Sequence, residues 1–444
     1  MTGAATLIPA TLAVALLAFM GPAQAETRTG ASAFGDWRDD APGVRRRFTL
    51  GDLPQPTPDK ASANHATVAK SEEVLPKVPA GFSIERIASG IAGARVIRIA
   101  PNGDYFVADS LAGRILVLRP GGNDEMERSI FARGLTRPYG IAFYPSGPDP
   151  KWVYVANSNS VVRFPYANGD LVAKSGPEWI VKNIPSSHHW TRDIAFSPDD
   201  RTLFLSVGSG SNVAESIGQE PPGGLEAFAA AKPLGAAWGS EARRGDVLAF
   251  TPEGKDEAIF ATGLRNCSGM TIQPASGALW CVVNERDALG DDIPFEFATR
   301  VEKGAFYGWP WYYSGGQEDP RHKGVRPDLA GKVAVPDVLI QPHSAPLNIA
   351  FYDGKSFPQD YRGDAFVALH GSWNRSARTG YKVVRLIFKD GKPTGEYEDF
   401  VTGFVLSDKD VWGRPVGVAV DRDGALLITE DGSGTIWRVT YSGG

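Results

Sequence analysis

From about residue 81 onward, short apolar runs rich in β-branched and aromatic residues alternate with clusters of Gly, Pro, Asn and Asp. Stretches with the 3.6-residue period of an amphipathic helix are scarce. The runs also share one template: ARVIRIAPNGDYFVADSLAGRILVL (94–118), RPYGIAFYPSGPDPKWVYVANSNSVVRF (137–164), TRDIAFSPDDRTLFLSVGSG (191–210), NCSGMTIQPASGALWCVVNERD (266–287), PLNIAFYDGKSFPQDYRGDAFVALHGSW (346–373) and RPVGVAVDRDGALLITEDGSGTIWRVTY (414–441). Each has an apolar strand, a turn, a second strand ending near Asp, Asn, Gly or Glu, and usually a third. Six returns of one unit predict an all-β fold, a six-bladed β-propeller spanning residues 81–444. A β-sandwich would not repeat the same template six times.

The flanks read differently. Residues 26–80 are rich in Pro, Ala and charge without sustained periodicity, which predicts a strap or linker lying over the propeller. Residues 1–25 carry no charge, contain LAVALLAF and end in AQA. This is the pattern of a signal peptide removed after Ala25, because the apolar run is shorter than the ~20 residues of a membrane span. No later segment is apolar enough to cross a bilayer, so the expectation is a periplasmic or secreted protein without stable membrane insertion.

Charge narrows the partners. With 46 basic and 51 acidic residues the chain has a net charge of −5, and no basic block tracks phosphates, which argues against nucleic acid. Its two cysteines, Cys267 and Cys281, flank the turn PASG (274–277). They can bridge if their Cα atoms lie within about 7 Å, although their offsets from the turn are unequal. No C-x-x-C or Cys–His cluster makes either a metal ligand.

Aligned on the turn after the first strand, five of the six repeats place a polar or cationic side chain just before that strand: Arg137, His189, Asn266 with Arg265, His343 and Arg414. In a propeller the first strands line the axis and the loops leading into them open on one face, so these side chains would converge on a funnel. Any one of them alone reads as a strand-capping loop residue. Together, Arg137, Arg265 and Arg414 predict an anionic ligand, since guanidinium forks suit carboxylates and phosphates. LHGSWNR (369–375) adds His370, Trp373, Asn374 and Arg375, and NERDALGDD (284–292) offers oxygen donors for Ca²⁺ without EF-hand spacing. Neither a Rossmann fingerprint nor a G-x-S-x-G elbow occurs.

LHGSWNR, NERDALGDD, KGAFYGWP (303–310) and the closing RPVGVAVDRDGALLITEDGSGTIWRV together resemble the soluble quinoprotein sugar dehydrogenases, in their sorbosone dehydrogenase-like branch, over about residues 81–441. The resemblance implies a six-bladed propeller binding pyrroloquinoline quinone (PQQ) and Ca²⁺ and oxidising an aldose or a sorbosone-like sugar. Electrons would pass to a periplasmic acceptor such as a cytochrome or a quinone. It implies His189 as general base and Arg265, Asn266, His370 and Arg414 as cofactor contacts, and Arg137, His343, Asn374 and Arg375 are expected to join them from their places around the funnel mouth. Asp287 and the main chain of Ala288 would hold the metal, with His188, Arg192 and Trp373 touching substrate or supporting the site. A calcium-dependent propeller lactonase and a non-catalytic propeller binding an anionic partner are the competing readings. The segments 211–242 and 311–345 are expected to wall the cleft.

Overall fold

The computed structural model describes residues 26–443, apart from 61, 71–73, 122–125, 219 and 222. The signal peptide expected at residues 1–25 lies outside the described residues.

Six antiparallel blades of four strands each surround one axis, and two further strands from the strap extend the fifth blade to a six-stranded sheet. Their innermost strands are Ala94–Ile99, Ile141–Tyr144, Ile194–Phe196, Cys267–Ile272, Pro346–Phe351 and Pro415–Val420, and each lies beside the next, the sixth closing on the first. This is the six-bladed propeller that the repeats predict. The second strands explain the texture of the sequence: Tyr105–Asp109, Leu203–Val207, Leu279–Val283, Ala365–Leu369 and Leu426–Glu430 are buried at every position. Blades pack face to face, so both sides of these strands are covered and the sequence runs continuously apolar instead of alternating. The single α-helix among the described residues is Leu225–Ala231.

Closure of the ring uses an early segment. The sixth blade takes its outermost strand from Phe82–Ala88, which pairs antiparallel with Thr435–Tyr441. The two ends of the propeller sequence are thereby held in one sheet. At the axis the Asp193 carboxylate accepts from Met270 N (2.9 Å) and from Arg98 (3.1 Å), bridging blades and flooring the funnel.

The described part of 26–80 runs over the fourth, fifth and sixth blades, with Phe34 and Phe48 packing on Phe295. Thr27–Thr29 pairs with Arg45–Arg47, which adds to the fifth blade opposite Glu396, Tyr397 and Glu398, and Thr67–Val68 pairs with Asp410–Val411. Arg46, with no exposed surface, bonds Asp399 (2.8 Å) and Asp40 (3.0 Å), and Lys382 bonds both carboxylates (2.6 and 2.8 Å). Two cations against two anions make this buried cluster neutral overall, the condition under which a buried charge is tolerable. Asp40 is pushed up to about 6 by burial, against the pull of Lys382.

Cys267 and Cys281 are joined, with Cα atoms 5.8 Å apart. The bridge runs diagonally across the strand pair, Cys267 lying opposite Val283 and Cys281 opposite Met270, with a bulge between Cys267 and Gly269.

Candidate active site in the funnel

The loops leading into the first strands and those joining second to third strands open on one face around a cavity of about 410 Å³. His188, His189, Arg265, Asn266, Asp287, His343, His370, Trp373, Asn374 and Arg414 all line it. Three lining residues, His188 (φ 60°), His343 (φ 63°) and Ala345 (φ 53°), occupy the left-handed region despite carrying side chains.

The first repeat, the one that offered no polar residue before its first strand, supplies one inside the strand. Arg95 lies at the bulge of Ala94–Ile99 and lines the cavity, donating to Asp431 (2.6 Å). His370 Nε2 donates to the other oxygen of Asp431 (2.8 Å). Burial works to raise Asp431, but His370, Arg95 and Arg414 outweigh it and hold the carboxyl well below its usual range. His370 is lowered to about 4 by burial and then by Arg414. The imidazole is therefore neutral, because a third cation beside Arg95 and Arg414 is disfavoured. Arg414 differs from the other cavity arginines. Among the described residues its guanidinium makes no side-chain hydrogen bond or ion pair, and its Nε is buried without a partner.

Across the cavity His189 is held in one tautomer. Nδ1 contacts the Ser209 carbonyl (3.1 Å), which can only accept, so Nδ1 carries the proton. Ser209 Oγ spends its own hydrogen on Ser211 O (2.6 Å) and also accepts from Nδ1 (2.9 Å). Nε2 is left as a bare acceptor with no protein donor among the described residues. Burial, then Arg265 and His188, lower His189 well below its usual value, so the ring is neutral at pH 7. Glu241 fixes the supporting turn, accepting from Gly210 N (2.7 Å) and Ser211 Oγ (2.5 Å). Gly208 has no room for a side chain, since a Cβ there would stand 2.5 Å from Asn266 Oδ1 and 2.7 Å from His189 Cβ.

Several expected ligands have other work. Arg265 is saturated by the protein: Nε and Nη2 bond Asn212 O (2.9 Å) and Oδ1 (3.0 Å), and Nη1 bonds Glu285 O (2.6 Å). It acts on the cavity as a fixed positive charge. His343 uses both nitrogens, donating from Nε2 to Gly290 O (2.9 Å) and accepting at Nδ1 from Asn374 (2.9 Å), which also bonds Asp287. Arg137, Arg192, Arg375 and Ala288 do not line the cavity. Arg137 is exposed and stacks over Trp190 (5.5 Å), as Arg95 does (5.2 Å). Arg192 is fully buried and bonds His189 O (2.9 Å) and Thr191 O (2.5 Å), so it supports the histidine loop from behind. Arg375 ties its loop to Asp292 (2.9 Å) and Ala377 O (2.8 Å).

The floor carries two carboxylates. Glu285 and Glu296 are buried, and each has one oxygen without a partner. Burial pushes Glu285 up to about 7, against Arg265, and Glu296 well above the usual range. The Asp287 carbonyl already accepts from Asn212 (3.2 Å) and Arg286 (3.0 Å). Among the described residues no group of three or more His, Cys, Asp or Glu has metal-holding geometry. Of these features, Glu285 was visible within NERDALGDD, whereas Arg95, Ser209, Glu296 and Asp431 had no signal beyond lying at strand ends.

A six-bladed propeller whose funnel sets a neutral, outward-facing histidine against an uncommitted arginine defines a small-molecule enzyme site of the anionic-cofactor kind. The chain belongs to the TrAA12-like family, whose model matches residues 76–300 and 328–442. It is 28% identical to an uncharacterized protein of Borreliella burgdorferi over 82% of this chain and 90% of that one. It is 22% identical, over the same 82%, to the pyrroloquinoline quinone-dependent pyranose dehydrogenase of Coprinopsis cinerea, of whose length the match spans only 54%. The calcium structure of a Trichoderma reesei family AA12 carbohydrate-active enzyme superposes with a TM-score of 0.66 at 20% identity, covering 86% of this chain and 99% of that one.

Proposed function

We propose that the protein is a PQQ-dependent dehydrogenase that oxidises an aldose or a related carbonyl sugar such as sorbosone. The observation that carries this reading is the pairing, across one cavity, of Arg414, a guanidinium that makes no hydrogen bond or ion-pair contact among the described residues, and His189, a neutral imidazole with a free Nε2. A flat tricarboxylate fits this lining: Arg414 would take a carboxylate, Asn266 and Arg95 lie beside it, and the volume suits one cofactor plus the reacting end of a sugar.

When bound, PQQ supplies a quinone that accepts the hydride leaving the sugar carbon. His189 Nε2 takes the proton from the sugar hydroxyl. Ser209 holds the ring in the tautomer that makes this possible, and Arg265 and His188 keep it unprotonated before the reaction. The positive field of Arg265 then disfavours the imidazolium, which promotes release of the proton to solvent through the open mouth, beside exposed His188.

Ca²⁺ belongs to the same reading. Glu285 and Glu296 offer the unpartnered oxygens a hard cation prefers, while Asp287 is shared with Asn374 and Arg265 (3.5 Å). A lactonase would leave Arg414 without employment, and an anion-binding module would have no use for the oriented base. Location in the periplasm, with a cytochrome or quinone as electron acceptor, is supported by the export pattern of residues 1–25 and by the Cys267–Cys281 bridge.

The test is titration of the purified protein with PQQ, with and without Ca²⁺, followed by sugar-dependent dye reduction. Saturable uptake with turnover lost in His189→Ala supports the reading; no uptake at micromolar PQQ overturns it.

A further inference from the structure

The strap reaches the funnel at one point, and there it touches a side chain that lines the cavity. Thr57 N donates to Leu289 O (2.6 Å), and Asn64 N donates to Trp373 O (2.6 Å). Asn64 Nδ2 donates to Ser376 O (2.9 Å). Fully buried Arg378 locks the segment down, donating to Asn64 O (3.0 Å), Asn64 Oδ1 (3.1 Å) and His65 O (3.2 Å). With its main chain fixed, the His65 ring lies flat against the Trp373 indole, centroids 5.2 Å apart and planes 17° from parallel.

Trp280, Trp311 and Trp412 are buried and the exposed Trp179 lies away from the cavity, whereas Trp373 is 42% exposed while lining it. A large flat side chain left open at the rim, but clamped on one side by a second ring, has little rotamer freedom left to lose when a ligand arrives. His65 lies before residue 76, where the family match begins.

We propose that Trp373, held by His65 of the strap, is an outer carbohydrate subsite that binds the sugar unit next to the one being oxidised. This rests on the sugar-dehydrogenase reading. A pyranose ring presents an apolar C–H face that an open indole covers, while its hydroxyls stay solvated. An oligosaccharide whose terminal unit reacts at His189 would lay its second unit on Trp373, at the mouth. The strap thus sets a preference for chain length without touching the reacting atoms, and His65 is a positioning residue acting through Trp373.

The experiment titrates the full-length, cofactor-free protein with glucose, cellobiose, cellotriose, maltose and maltotriose, reading tryptophan fluorescence and calorimetric heat. Affinity should rise roughly 3- to 10-fold from monosaccharide to disaccharide in at least one series, the size of one aromatic contact. That gain should vanish in Trp373→Ala, shrink in His65→Ala and survive in His65→Phe, which keeps a stacked ring. A flat chain-length profile, or a gain unchanged in both alanine variants, overturns the proposal. PQQ titration of His65→Ala separates the two readings. Normal PQQ uptake with no chain-length gain in the wild type removes only the subsite. A chain-length gain in a protein that takes up no PQQ removes only the dehydrogenase reading.

Discussion

Replacing Arg414 by methionine should uncouple cofactor binding from stability. The guanidinium makes no side-chain hydrogen bond or ion pair among the described residues, and its Nε is buried without a partner. Methionine keeps most of the stem that packs near Tyr381, over which the guanidinium sits at 6.0 Å. The fold therefore loses no protein contact of consequence, and the denaturant midpoint should move by no more than about 0.5 kcal/mol. Binding is another matter. A guanidinium-to-carboxylate hydrogen bond contributes about 1.5–3 kcal/mol, so PQQ should bind roughly 10- to 150-fold more weakly. Arg414→Lys retains charge without the planar fork and should fall between the two. Removing Arg414 also relieves one cause of the lowered His370, so that histidine should titrate above about 4 in an NMR pH series. Fluorescence or absorbance titration with PQQ, alongside urea unfolding, decides the matter. Wild-type affinity in Arg414→Met would refute the assignment, and so would loss of affinity accompanied by an equal loss of stability, which would show Arg414 to be structural.

Four further outcomes follow from the structure. His189→Ala should lower turnover by about 10²- to 10⁴-fold while leaving PQQ uptake intact. Because the folded protein holds His189 below its usual value, kcat/KM should stay flat from neutral pH to below 6.5 and fall only as the base protonates in acid; a decline already at pH 7 would contradict the neutral tautomer. Gly208→Ala should cost activity without global unfolding, since its Cβ would push directly on Asn266 and His189, and steady-state kinetics with circular dichroism test this. Arg46→Met should destabilise the protein by about 3–5 kcal/mol, because it leaves Asp399 and Asp40 buried against Lys382 alone; urea midpoints measure the loss, and a change under 1 kcal/mol would mean the strap is not held by this cluster.

The comparison of pattern with structure is instructive at particular residues. Six returns of one strand template could close only as a propeller, and uniform apolar runs marked the second strands buried between blades. His189, Asn266 and Arg414 were legible because they hold equivalent positions before their first strands. The same alignment misplaced Arg137, and the LHGSWNR motif misplaced Arg375, since position gives the end of a strand from which a side chain starts but not the partner it finds. Arg375 found Asp292, and Arg192 found the main chain of its own loop. Arg95 and Asp431 are 336 residues apart, and only closure of the ring brings the first and last blades together around His370.

Local order was therefore determined by the sequence alone: short, continuously apolar runs, repeated six times with turn residues between, leave the chain few ways to bury itself. Which guanidinium stays free, which imidazole nitrogen stays bare and where the strap meets Trp373 were decided by tertiary structure. Each depends on hydrogen-bond partners and burial contributed by segments distant in the chain. A charge or a proton is assigned by its three-dimensional neighbours, and the order of residues does not reveal them.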